Sequence, residues 1–227
     1  MKPTHKIQLG FSLVFSFSPF LLTAQVPEGF ASLTSSIEDM VIEAKYKTHD
    51  NFTGRPVKVY DQLEVMLTIE ATEALKAAQR EFVKDGYAIK VFDAYRPQKA
   101  VDDFVQWATI ENDTLNKQAF YPNLKKSQLF PLGYIAAHSG HSRGSTLDLT
   151  LVYLKGEKGV EEVDMGGSYD YFGEASHVFY KEITAKQKAA RLYLRRVMLK
   201  HGFQPYEKEW WHFTLKNEPY PTTYFDH

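Results

Sequence analysis

Two stretches of this sequence place metal-ligating side chains at short range. In the first, Ser139-Gly-His-Ser-Arg-Gly-Ser-Thr-Leu-Asp148, the imidazole of His141 precedes the carboxylate of Asp148 by seven residues. In the second, Glu209-Trp-Trp-His212, a carboxylate stands three residues before an imidazole. Two imidazoles and one carboxylate can hold zinc tetrahedrally with a fourth position open, and a glutamate beside the ion can serve as general base on the water it activates. Plainer readings stay open on spacing alone. His141 could be hydrogen-bonded in a turn, Asp148 could end a strand, and Glu209 could lie on the surface beside two packing tryptophans. Cysteine is absent, which excludes disulfides, thiolate zinc sites and a cysteine nucleophile, so any metal must be held by His, Asp or Glu.

Gly140-His-Ser142-Arg-Gly144 also matches the nucleophile elbow G-x-S-x-G, with Asp170 and His212 following in the Ser, Asp, His order. That motif needs a helix directly after the serine. Here Ser145-Thr-Leu-Asp-Leu-Thr-Leu-Val-Tyr-Leu154 follows and alternates polar with apolar residues, which is the period of a strand. The context therefore speaks against a serine hydrolase. Arg96 is a further candidate, because a guanidinium stays charged and offers fixed donors to a developing oxyanion. Its alternative role is an ion pair with Asp93.

These side chains need elements to hold them. On a strand from 145 to 151, Leu147, Leu149 and Leu151 face one side and Thr146, Asp148 and Thr150 the other, so Asp148 points into a cleft when the leucines take the core. Gly144 allows a sharp turn that folds His141 back beside it. Apolar residues at helical spacing predict a helix over Leu63 to Lys84, stopped by Gly86. Tyr87 onward reads as a strand ending at Arg96, since Pro97 cannot extend a ladder. Further helices are predicted over Lys99 to Ile110 and Ala185 to His201, the latter opened by Thr184 and Gln187 as a capping box. A last strand runs from Trp210 to Leu215, so that Glu209 must come from the turn before it. Helices mixed with antiparallel strands, without regular βαβ alternation, predict an α+β fold: a small antiparallel sheet with flanking helices and a zinc site in a cleft.

The chain has 227 residues, is 44% hydrophobic and 24% charged, and carries a formal charge of -1. This suits one ordinary domain and gives no basic surplus for nucleic acid. Residues 1–24 join Lys2 and Lys6 to an interrupted apolar stretch and read as a cleaved signal peptide for export to the periplasm, with an uncleaved anchor as the alternative. Residues 25–227 form the expected catalytic domain, with 25 basic and 28 acidic residues.

The two motifs together resemble those of the zinc D-alanyl-D-alanine dipeptidases of the VanX type, within the larger family of D-Ala-D-Ala metallopeptidases. Ala44-Lys-Tyr46, Asn51-Phe-Thr-Gly54, Tyr60, Asp93-Ala-Tyr-Arg96-Pro97, Met165-Gly-Gly-Ser-Tyr-Asp170 and Glu218-Pro-Tyr-Pro-Thr-Thr-Tyr-Phe-Asp226 resemble the family's segments in the same order. Gly140 and Ala94 depart from its usual residues without removing a ligand or base. The resemblance implies one zinc ion held by His141, Asp148 and His212, with Glu209 as catalytic base and Arg96 polarising the scissile carbonyl. It also implies that Tyr46, Tyr60, Ser139 and Asp170 contact a small dipeptide, D-Ala-D-Ala. The expected role is peptidoglycan turnover or dipeptide salvage. A D,D-carboxypeptidase acting on longer peptides, and a zinc-stabilised binding module without catalysis, are the alternatives.

Overall fold

The computed structural model of the chain describes residues 26–154 and 161–227. The expected signal segment, residues 1–24, lies outside the described residues. Among the described residues, no helix is long and apolar enough to cross a membrane.

The chain opens with β1 (Phe30–Ser32), a single helical turn α1 (Leu33–Ser36) and β2 (Val41–Ile42). Next come β3 (Met66–Thr68), α2 (Ile69–Lys84), β4 (Tyr87–Asp93) and α3 (Gln98–Thr109). Two short helices, α4 (Lys117–Phe120) and α5 (Lys126–Leu129), lead to the central strand β5 (Thr146–Tyr153) and to β6 (Glu161–Glu162). The chain then passes through α6 (Ala185–Lys200), β7 (Phe203–Tyr206) and β8 (Glu209–Leu215). The main sheet runs β2-β4-β5-β8-β7, with β6 paired to β5, and β1 and β3 form a separate ribbon.

This is the expected α+β architecture, with two differences. The sheet is not wholly antiparallel, because β2 pairs in parallel with β4 at one edge. The long helix starts at Ile69 rather than Leu63: Met66 and Leu67 pair with Ser32 and Ala31, and the Thr68 hydroxyl caps the helix by accepting from the Ala71 amide at 3.4 Å. An N-cap hydroxyl satisfies a donor that the first helical turn leaves open, and it marks the true start.

The leucine face of β5 packs as its alternation requires. Leu147, Leu149 and Leu151 are buried in one core with Leu75 and Phe82 of α2, Leu194 and Val197 of α6, and Phe213 of β8. Each such fully buried side chain contributes about 2 kcal/mol of hydrophobic stabilisation. The capping box of α6 forms as expected, with Thr184 accepting from the Gln187 amide and Gln187 accepting from the Thr184 amide. A second, aromatic core holds Tyr46, Phe52, Phe104, Trp107, Tyr121 and Phe172. The cleft lies against it, and Tyr46, Phe52, Phe104 and Phe172 also line the cleft wall.

Candidate metal centre and cleft

The site grows from a row of residues across the sheet. Asp93 of β4 is paired with Asp148 of β5, and Asp148 with His212 of β8. Two carboxylates opposed on neighbouring strands repel unless a cation joins them. Arg96 supplies one, its Nε and Nη2 donating to Asp93 Oδ2 at 2.9 and 2.7 Å while Nη2 stands 3.9 Å from Asp148 Oδ2. Its guanidinium also lies over the Tyr46 and Phe104 rings at 5.0 and 5.2 Å. The structure shows Arg96 ion-paired to Asp93 and also places it in the lining of the cleft.

His141 arrives from the turn between α5 and β5. Residues Gly140–Arg143 form one 3-10 turn, capped by Ser139, and Gly144 closes it at φ +78°. A Cβ on Gly144 would meet the Phe30 ring at 2.4 Å, so close packing as well as the left-handed backbone calls for glycine there. His141 Nδ1 faces the Ala94 carbonyl at 2.8 Å. Donating there sets the tautomer and leaves the Nε2 lone pair for a metal.

Glu209 and His212 should project from opposite faces of a regular strand. A register shift removes that conflict: Pro205 pairs with Phe213, but the next residue, Tyr206, pairs with Glu209. Residues 210–212 thus lack partners on β7, although His212 keeps its pairing with Asp148 on β5, and Glu209 Oε2 comes within 3.5 Å of His212 Nδ1. Glu209 opens β8 rather than sitting in the turn before it. Trp210 and Trp211 are buried, as expected of packing residues.

The three candidate ligands converge. His141 Nε2 is 3.4 Å from His212 Nδ1 and 3.4 Å from Asp148 Oδ2, and His212 Nδ1 is 3.0 Å from Asp148 Oδ1. Four tetrahedral bonds of about 2.1 Å set neighbouring ligand atoms about 3.4 Å apart, so the spacing and the donor set both fit a small divalent ion. Tyr169 completes the surroundings by donating its hydroxyl to Asp148 Oδ2 at 3.1 Å. Nothing in the spacing of the motifs pointed to this tyrosine, although it adjoins Asp170.

Burial and neighbouring charges compete in this site. Desolvation alone would raise the Asp148 carboxyl, but the charges and hydrogen bonds of His141 and His212 hold it well below the usual carboxylate range. Burial would lower His212, and the Asp148 hydrogen bond and charge raise it instead. Glu209 is pushed up to about 7, chiefly by burial and secondarily by the Asp148 charge. Asp170 is pushed well above the usual range by burial and by Asp148. It sits at φ +58°, a left-handed conformation that aspartate tolerates better than most residues.

The cleft is lined by Tyr46, Arg96, Ser139, Asp170 and Glu209 together with the three candidate ligands. Tyr46 donates to Asp170 Oδ2 at 2.8 Å. Tyr60 is placed differently from the other expected contacts. Its hydroxyl donates to Asp93 Oδ1 at 2.9 Å, and its ring lines a small neighbouring cavity rather than the cleft. The Ser142 hydroxyl is buried without a partner among the described residues, and β5 follows it directly after Ser145, so the nucleophile-elbow context is absent.

The family model described as D-ala-D-ala dipeptidase matches residues 27–227. The D-alanyl-D-alanine dipeptidase of Enterococcus faecalis is 43% identical over 198 residues, covering 87% of this chain and 96% of the relative. That of Streptomyces coelicolor is 41% identical over 197 residues, with the same shares covered. The Escherichia coli dipeptidase is 30% identical over 177 residues, covering 78% of this chain and 79% of its own. A match that spans residues 27–227 covers nearly all of the described residues, and the chain belongs to the D-Ala-D-Ala dipeptidase family of metallopeptidases.

Proposed function

We propose that this protein hydrolyses the peptide bond of D-alanyl-D-alanine with one zinc ion held by His141, Asp148 and His212. The observation that carries the reading is the meeting of three candidate ligand residues, with ligand atoms 3.0 to 3.4 Å apart and Glu209 Oε2 3.5 Å from one of them, in the lining of a cleft. Zinc bound there would supply Lewis acidity to the scissile carbonyl and to the attacking water.

Glu209 is the base. A carboxyl raised to about 7 by burial can take a proton from water as the new C–O bond forms and return it to the amine nitrogen as the C–N bond breaks. Arg96, fixed by Asp93 along one edge of its guanidinium, faces the cleft as a donor for the developing oxyanion. Asp170, short of counter-charge in its buried position, suits the free ammonium of a dipeptide. Tyr46 orients it, Ser139 offers a hydroxyl to the substrate, and Tyr60 acts from behind by holding Asp93.

The leader-like residues 1–24 support export, and with it a role in peptidoglycan turnover or salvage of released dipeptide. Comparing D-Ala-D-Ala with its N-acetylated form tests the substrate reading. A site that grips the ammonium cleaves the free dipeptide and rejects the blocked one, while equal rates on both would replace the dipeptidase with a carboxypeptidase.

A further inference from the structure

Arg143 and the closing residues of the chain take no part in the chemistry above, yet they are joined to it. Arg143 Nε and Nη2 donate to the two oxygens of Glu218, both at 2.8 Å, with side chains 18% and 12% exposed. Arg143 lies two residues after His141, in the same 3-10 turn. Further along, the peptide of Phe225 links two functional segments. Its N–H donates to the Ser142 carbonyl at 2.8 Å, and its carbonyl accepts from the Gln98 amide, two residues beyond Arg96, at 3.0 Å. Asp226 Oδ1 then accepts from the Lys99 amide at the start of α3, and the Phe225 ring is anchored against Phe30 and Tyr220.

We propose that residues 218–227 are a positioning strap that sets the His141 turn against the Arg96 segment, with the Arg143–Glu218 pair as its clasp. A 3-10 turn of four residues has little rigidity of its own, and His141 can offer Nε2 to a metal only while the turn keeps Nδ1 on Ala94. A bidentate arginine–carboxylate pair fixes direction as well as distance, which a single ion contact does not. The strap therefore acts on metal affinity and turnover through His141, without touching substrate. This inference rests on the reading of His141 as a ligand.

The test measures zinc affinity by competition with a chromophoric chelator, and melting of the metal-free chain, in Glu218→Gln and Arg143→Lys. Zinc affinity should fall about tenfold, the lower end for residues that orient ligands, with kcat reduced and the metal-free melting temperature little changed. Arg143→Ala with Glu218→Ala should lose no more zinc affinity than either change alone, because the clasp works as one unit. Glu81→Gln, which cuts a surface pair with Lys200, should leave zinc affinity intact. Lower metal-free melting with wild-type zinc affinity would make the strap merely structural and overturn the proposal. Failure of the wild-type protein to cleave D-Ala-D-Ala would instead strike the functional reading and leave the affinity comparison standing.

Discussion

Asp148 and His212 are cross-strand partners on β5 and β8, and their side chains meet at 3.0 Å directly above that pairing. Two of the three candidate ligands are thus set by sheet register. The third, His141, comes from a turn and needs its own supports: Gly144 below, the Ala94 carbonyl at Nδ1 and the closing strap.

Replacing Asp148 with asparagine keeps the shape of the side chain and removes its charge. Metal affinity should fall by more than the roughly 10- to 100-fold typical of outer partners, while the sheet survives. Metal content per chain after dialysis, read beside circular dichroism, checks both halves of this expectation.

Glu209→Gln should retain the metal and lower kcat by about 10² to 10⁴, the usual contribution of a positioned acid–base group. Near-normal turnover in a metal-loaded variant would remove Glu209 from the mechanism.

Tyr169→Phe deletes the hydroxyl that donates to Asp148 Oδ2 and leaves the stack of its ring on Phe92. The variant should bind metal about tenfold more weakly with unchanged thermal stability of the metal-free chain. Titration against a competing chelator reads the difference.

Acid should destabilise the edge of the sheet at Glu43. Partial burial alone would raise this carboxyl, but hydrogen bonds and charge from Lys45 and Lys90 bring it below the usual 4.5. A carboxylate lowered in the folded chain contributes stability above its unfolded value and loses it as pH falls through the folded value. Melting of the metal-free protein between about pH 6 and 3 should therefore drop less steeply in Glu43→Gln than in wild type.

Legibility in the sequence followed how local each feature is. The alternation of Leu147, Leu149 and Leu151 and the Thr184–Gln187 box depend on neighbours a few residues away, and both took the form their spacing predicts. The start of α2 was obscured because Met66 and Leu67 suit a strand as well as a helix, and the pairing with β1 decides between them. The register shift between β7 and β8 was not legible, since nothing in Glu-Trp-Trp-His-Phe marks which residues lose their partners on β7. Tyr169 could not be assigned to Asp148 because that contact spans 21 residues and an irregular segment. Tyr60, a suitable substrate contact by type, is held away from the cleft by its bond to Asp93.

The most direct measurement is release of free D-alanine from D-Ala-D-Ala, beside L-Ala-L-Ala, by protein stripped with a chelator and then reloaded with zinc. Stripped protein should be inactive, and zinc should restore cleavage of the D,D-dipeptide alone. Undiminished hydrolysis in the stripped protein, or none after zinc is bound at one ion per chain, would contradict the account.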